Sequence, residues 1–427
     1  MTRPGGRVER SRRRDADASG YAVMLRHPVA GRIALAHVVS MLGDYLGMGA
    51  LLLLLYERTG TVLGPAAVFA AQAVPALLLG TVGAPWIAGL DRRRWLPGLA
   101  VSGAALVTTV ALVPNVVTAL LASAGLGALA TIEVSLRSAV TASDVPPTLR
   151  GRLIAIIGVG TQGGQVVGYL ASAVVAQRIG AEVALIADAA TFVVAGLLVV
   201  GLPLRSQVRA SVRPGPIGGI RLVLGHPVLR LLAPVAWATM VMAATPESLA
   251  AGLTTRTGLV VGLLMAAHPF GMAVSTAVLG RYAWLERVPN QLRLAGLSVV
   301  MLAGMGIALG AGAPVWLVIA LTAGKGGCDA WFAGTQTVFA QVCRPEELAQ
   351  VTATMIAASV ALEGAGALFL GALATLASPA TAYVVAAGLI AVASARAVVG
   401  FRTLAGGHLS EDGAAIPVEA IPVEAMA

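Results

Sequence analysis

Apolar residues in this chain come in long runs rather than in the spaced stripes of a water-facing helix. Twelve runs are visible, over 31–56, 62–88, 95–113, 115–138, 152–176, 183–203, 230–252, 257–280, 294–312, 315–338, 351–376 and 379–400. Each is close to the roughly 20 residues that an α-helix needs to cross a hydrocarbon core. The pattern predicts an all-α membrane protein with twelve transmembrane helices. The longest internal gap, about 204–228, divides them into two six-helix halves, 31–203 and 230–402. Equal halves suggest an internal duplication. Val140, Ala142 and Pro147 match Val338, Ala340 and Pro345 at one constant offset. Outside the halves the sequence reads as a polar tail (1–30), a central loop (204–229) and a disordered tail (403–427) with a tandem Ala-Ile-Pro-Val-Glu.

Orientation follows from the arginines. Alternate gaps hold Arg92 to Arg94, Arg150 and Arg152, then Arg205, Arg209, Arg213 and Arg221, then Arg281, Arg287 and Arg293, then Arg344. The other gaps hold only Arg58, Arg178 and Arg256. The first set is therefore expected in the cytoplasm, together with both termini.

Composition agrees: 57% of the 427 residues are hydrophobic and 11% charged, against about 25% charge in a soluble domain. The net charge of +9 does not point to nucleic acid, because the arginines sit in short gaps and no basic face carries interleaved aromatics. Cys328 and Cys343, if on one helix, are roughly 22 Å apart at 1.5 Å rise per residue, too far for a disulfide. No metal site, cofactor or nucleotide-binding loop is expected, which disfavours ATP as the energy source.

Several short motifs resemble the major facilitator superfamily, and within it twelve-helix bacterial exporters of the enterobactin-exporter and macrolide-efflux type. They are Leu42-Gly43-Asp44-Tyr45, Glu57-Arg58-Thr59-Gly60, Val145-Pro146-Pro147 followed by Arg150, Ala187-Asp188-Ala189, and Arg344-Pro345-Glu346-Glu347-Leu348. The resemblance implies helices one, four, seven and ten around a central cavity, with three, six, nine and twelve outside. It also implies an inner-gate loop at Asp91, Arg92 and Arg93. A gapless alignment, the one favoured, displaces that motif here, placing Ala88 and Gly89 where the family has Asp-Arg and so weakening its latching contacts; a gapped alignment makes Asp91-Arg92 the motif pair. The family's Gly-rich face on helix five is kept as Gly160, Gly164 and Gly168, without its usual Pro.

A charge at a helix centre costs about 2.5–3.5 kcal/mol on insertion scales, so each one requires a reason. Asp44 and Glu363 are candidates for proton coupling. Lys325 and Asp329, Glu133 and Arg137, and Glu247 are candidates for substrate or ion pairing in the cavity. The i, i+4 spacing of Lys325–Asp329 and Glu133–Arg137 lets each pair close on one helix face. Each candidate also has a packing alternative: a neutralising pair, a bridge at the inner gate, or, for Glu247, plain hydration near the outer end. Asp188 reads as a packing residue, and His268, before Pro269, as a hydrogen-bonded neighbour of a kink.

The expected function is secondary active transport: a proton-coupled exporter of an amphipathic small molecule, such as a drug-like metabolite or siderophore, working by alternating access. Its expected partners are that substrate, protons and the lipid bilayer of a bacterial inner membrane, with the chain a monomer. The alternatives are a non-transporting sensor or scaffold of the same fold, or a membrane-embedded lipid-modifying enzyme.

Overall fold

The structure is a computed structural model and describes residues 20–204, 216–253, 258–279, 287–343 and 345–406. The tails up to 19 and beyond 406 lie outside the described residues, as do Arg205, Arg209, Arg213, Arg256, Arg281 and Arg344. A short helix α1 (20–26) leads into the first half. There follow α2 (Ala30–Thr59), α3 (Leu63–Thr81), α4 (Ala84–Ala88), α5 (Arg92–Leu112), α6 (Val116–Asp144), α7 (Pro147–Arg178) and α8 (Ala181–Val199). The second half has α9 (Pro216–Gly225), α10 (Leu229–Met240), α11 (Thr245–Ala250), α12 (Gly258–Leu279) and α13 (Val288–Gly310). It ends with α14 (Val315–Asp329), α15 (Trp331–Val342), α16 (Pro345–Leu376) and α17 (Pro379–Gly406).

Among the described residues, 11 segments are long and apolar enough to cross a bilayer, counting α10 and α11 as one. The tenth expected span is divided between α14 and α15. Ala330, between them, keeps a right-handed helical backbone (φ −55°, ψ −17°), so Val315 to Val342 is consistent with a twelfth crossing. The seventh span breaks before Pro246, at N1/N2 of α11; a helix tends to end before a proline because the ring crowds the preceding residue. The second run ends at Thr81, and its remainder forms α4 beyond Gly83. The expected central loop contains a helix, α9.

One repeat ties the halves together. His27-Pro28-Val29 precedes α2 and His226-Pro227-Val228 precedes α10. His27 Nδ1 accepts from the Val29 amide at 3.3 Å, and His226 Nδ1 from the Val228 amide at 3.3 Å. Each histidine thus occupies a free amide where the chain turns from a short helix into the first long one of its half.

Small residues set the packing. Gly160, Gly164 and Gly168 put α7 directly on α2: a Cβ on Gly168 would lie 2.6 Å from Tyr45 Cβ, and one on Gly164 2.8 Å from Met41 Cβ. Close backbone approach of this kind replaces the hydrophobic drive that lipid does not supply.

The cores divide the molecule by level. At the end holding the arginine-poor turns, one apolar core runs through both halves, including Leu52, Leu55, Val68, Leu249, Val261 and Leu370. At the arginine-rich end each half has its own core: Ile33, Leu96, Val140 and Leu153 in the first, and Leu232, Leu292, Phe339 and Met355 in the second. The close backbone contacts between halves follow the same division. Gly258 on α12 donates its N–H to Gln177 Oε1 on α7 at 2.7 Å. Gly364 on α16 packs on Phe69, Ala70 and Ala73 of α3.

Candidate functional site

The first half encloses a cavity of about 280 Å³ between α2, α5, α6 and α8, with Gln72 of α3 at its side. Asp44 of α2, Glu133 of α6 and Asp188 of α8 line it, with Tyr45, Met48 and Phe192 among the apolar side chains. Helices three and six, expected outside, therefore contribute to this wall. Besides Asp188 and Phe192, their lining residues are small or aliphatic, Ala100, Leu185, Ala195 and Val199 among them.

The three carboxylates differ in their partners. Asp44 accepts from Ser40 Oγ at 3.3 Å, one turn back on its own helix. Glu133 Oε1 receives Arg137 Nη1 at 2.7 Å, as its i, i+4 spacing predicts. The same guanidinium nitrogen lies 2.7 Å from His37 Nδ1. A guanidinium only donates, so Nδ1 accepts and His37 carries its proton on Nε2, which faces Ile157 O at 3.2 Å and Thr161 Oγ1 at 3.0 Å. His37 was absent from the candidates read off the sequence, yet it links α2, α6 and α7. Asp188 fills a notch on α2: a Cβ on Gly43 would meet its Oδ1 at 2.8 Å, and one on Gly47 its Cγ at 2.8 Å. Asp44 lies within electrostatic reach of both Asp188 and Glu133.

Lys325 and Asp329 form a separate, closed set in the second half. They are 1% and 5% exposed and face each other as an ion pair on α14. Asp329 Oδ2 also faces His268 Nε2 of α12 at 3.0 Å, and its Oδ1 accepts from Ser298 of α13 at 2.9 Å. Lys325 Nζ lies 3.4 Å from the same His268 nitrogen. Glycines permit the approach: a Cβ on Gly326 would stand 2.8 Å from the His268 carbonyl carbon. None of these side chains lines the first-half cavity.

Glu247 is 6% exposed, so it is buried and not at a hydrated outer end. Its Oε2 has no hydrogen-bond partner among the described residues. Glu363 on α16 is partly buried and within electrostatic reach of Glu247. Tyr45, whose hydroxyl accepts from Gln165 at 2.7 Å and whose ring meets Tyr169 edge-on at 5.3 Å, stands near both.

The loop expected at the inner gate is anchored within the first half. Asp91 caps α5 by accepting from the Arg93 amide at 3.1 Å. Arg92 is buried and reaches the end of α6, at 2.6 Å from Ser143 Oγ and 3.3 Å from Asp144 Oδ2. Arg93 Nε donates to Leu204 O at 2.7 Å.

The sequence profile of the Major Facilitator Superfamily matches residues 33–321, more than half of the chain. The protein belongs to the Major Facilitator Superfamily. Solved structures of transporters share its architecture. The nucleoside transporter NupG superposes with a TM-score of 0.69 at 10% identity, over 87% of this chain and 99% of its own. A bacterial homologue of the human lysosomal transporter Spinster, inward-facing and occupied, gives 0.65 at 14%, over 90% and 98%. The human organic anion transporter MFSD10 gives 0.61 at 16%, over 87% and 99%. Likeness at these identities is a likeness of fold. No curated protein matches the sequence.

Proposed function

We propose that this superfamily member is a secondary active transporter working by alternating access, in a conformation open at its arginine-rich end. The observation that carries the reading is the division of the cores. The halves share one core at the arginine-poor end and hold separate cores at the other. Two bodies joined at one level and parted at the next can rock about the join. With the arginines facing the cytoplasm, the opening is cytoplasmic, the membrane is the bacterial inner membrane and both termini are inside. The resemblance to bacterial exporters supports efflux of an amphipathic molecule.

Proton coupling is assigned to Asp44 and Glu363. Neither is in an ion pair among the described residues, and each lies inside a span, where loading and unloading a proton changes the charge that must move between the two conformations. In the geometry seen here Lys325 and Asp329 hold α14 against α12 and α13, and a packing role is assigned to them. Vesicles with an imposed proton gradient test the coupling. Asp44→Asn or Glu363→Gln should abolish uphill transport, and in Glu363→Gln exchange at equilibrium should survive, because exchange does not require proton release. Full uphill transport in the double variant would remove both carboxylates from the mechanism.

A further inference from the structure

We propose that the first-half cavity binds the charged group of an organic cation, an alkylated ammonium with an apolar body, between Asp44 and Asp188. The inference deepens the transport reading above by naming a substrate class. Three observations carry it. First, Asp188 is 4% exposed yet lines the cavity, and among the described residues its carboxylate has one side-chain hydrogen bond, a long one from Thr191. Thr191 Oγ1 lies 3.5 Å from Asp188 Oδ1, but its single proton is directed at the Asp188 backbone carbonyl at 2.8 Å. A buried carboxylate held this weakly is stabilised by a proton or by a counter-charge.

Second, no lysine, arginine or histidine among the described residues lines the cavity. The nearby Arg137 bonds Glu133 and His37 and acts on Asp44 only at a distance, so neither Asp44 nor Asp188 is in an ion pair among the described residues. Third, the remaining wall offers Met41, Met48, Leu126 and Phe192, which suit an apolar body, with the Phe192 ring as one face for a cation. The volume of about 280 Å³ suits a small organic molecule.

The test uses two probes of one shape, benzyltrimethylammonium and its uncharged isostere neopentylbenzene, binding to purified protein in nanodiscs without any gradient. Wild type should bind the cation at least about tenfold more tightly than the isostere, as expected for a charge-assisted contact. Asp188→Asn and Asp44→Asn should each remove that preference and leave isostere binding unchanged. Should Asp188→Asn fail to fold, Asp44→Asn and Asp188→Glu carry the same test, Asp188→Glu keeping the preference. Equal affinity for the two probes, no binding of either, or a preference that survives Asp44→Asn would overturn the proposal. A competing preference abolished only by Glu363→Gln would also overturn it, by placing the site between the halves. Because no transport is measured, these failures leave the alternating-access reading standing, and its own failure in gradient-loaded vesicles leaves this one standing.

Discussion

Lys325 shows how a charge near the middle of a span is accommodated. Its ammonium, the Asp329 carboxylate, the His268 ring and the Ser298 hydroxyl satisfy one another across three helices. Removing one partner of such a set leaves the others desolvated, at a cost of about 3–5 kcal/mol for a buried pair. Asp329→Asn should accordingly lower the melting temperature. Replacing the ring of partners as a unit, by Lys325→Met, Asp329→Leu and His268→Leu, should restore most of it, since apolar residues of similar volume often serve such a site as well. Thermal unfolding and vesicle transport on the same variants decide the role. The packing assignment expects the triple variant to be stable and active, and a stable but inactive one would return the pair to the mechanism. The i, i+4 pairing was legible in the sequence, because helix geometry alone sets it. Ser298 and His268 as its partners were not, because they depend on which faces of α12 and α13 turn toward α14. The surroundings of Asp188 were hidden for the same reason: its chain neighbours suggest packing, and only the juxtaposition of α8 with Gly43 and Gly47 brings it near Asp44.

At the scale of elements, the glycine face of α7 makes a sharp prediction. Gly168→Ala would place a methyl 2.6 Å from Tyr45 Cβ, whereas Gly163, on the same helix, has nothing within 4 Å of its added Cβ. Gly168→Ala should therefore destabilise the protein by roughly 1–3 kcal/mol, the usual cost of overpacking. Gly163→Ala should match wild type or slightly exceed it, because alanine is the better helix former. Equal melting temperatures for the two variants would show that α2 and α7 are not held by this contact. The spans themselves were legible because lipid demands a nearly uninterrupted apolar run from each. Their interruptions were less so. Pro246 announces the break before α11 by a steric rule, but nothing local announces the one at Ala330, where the backbone barely departs from helix. Both interruptions fall in the second half, at its first and fourth spans, while α2 and α6, the corresponding helices of the first half, run unbroken. The His-Pro-Val repeat was present in the sequence throughout. Hydropathy passes over it, because it lies in the polar turns between apolar runs.

At the scale of the whole molecule, the two halves are joined at one level and separate at another, and the proposed transport cycle rests on this asymmetry. Neither the number of apolar runs nor the arginine pattern could supply it, since both describe one half at a time and a conformation is a relation between the two. The pair α7 and α12 spans the membrane on either side of the join, which makes it the place to measure the motion. With Cys328 and Cys343 replaced, spin labels at Gly151 and Val278 report the arginine-rich end, and labels at Arg178 and Leu259 report the arginine-poor end. Distances between them, by double electron–electron resonance in nanodiscs across a pH series and with benzyltrimethylammonium, test alternating access directly. The account predicts two populations whose shifts are opposite at the two ends, with the Gly151–Val278 distance shortening wherever the Arg178–Leu259 distance lengthens. A single unchanging distance at both ends under every condition, or shifts of the same sign, would contradict it.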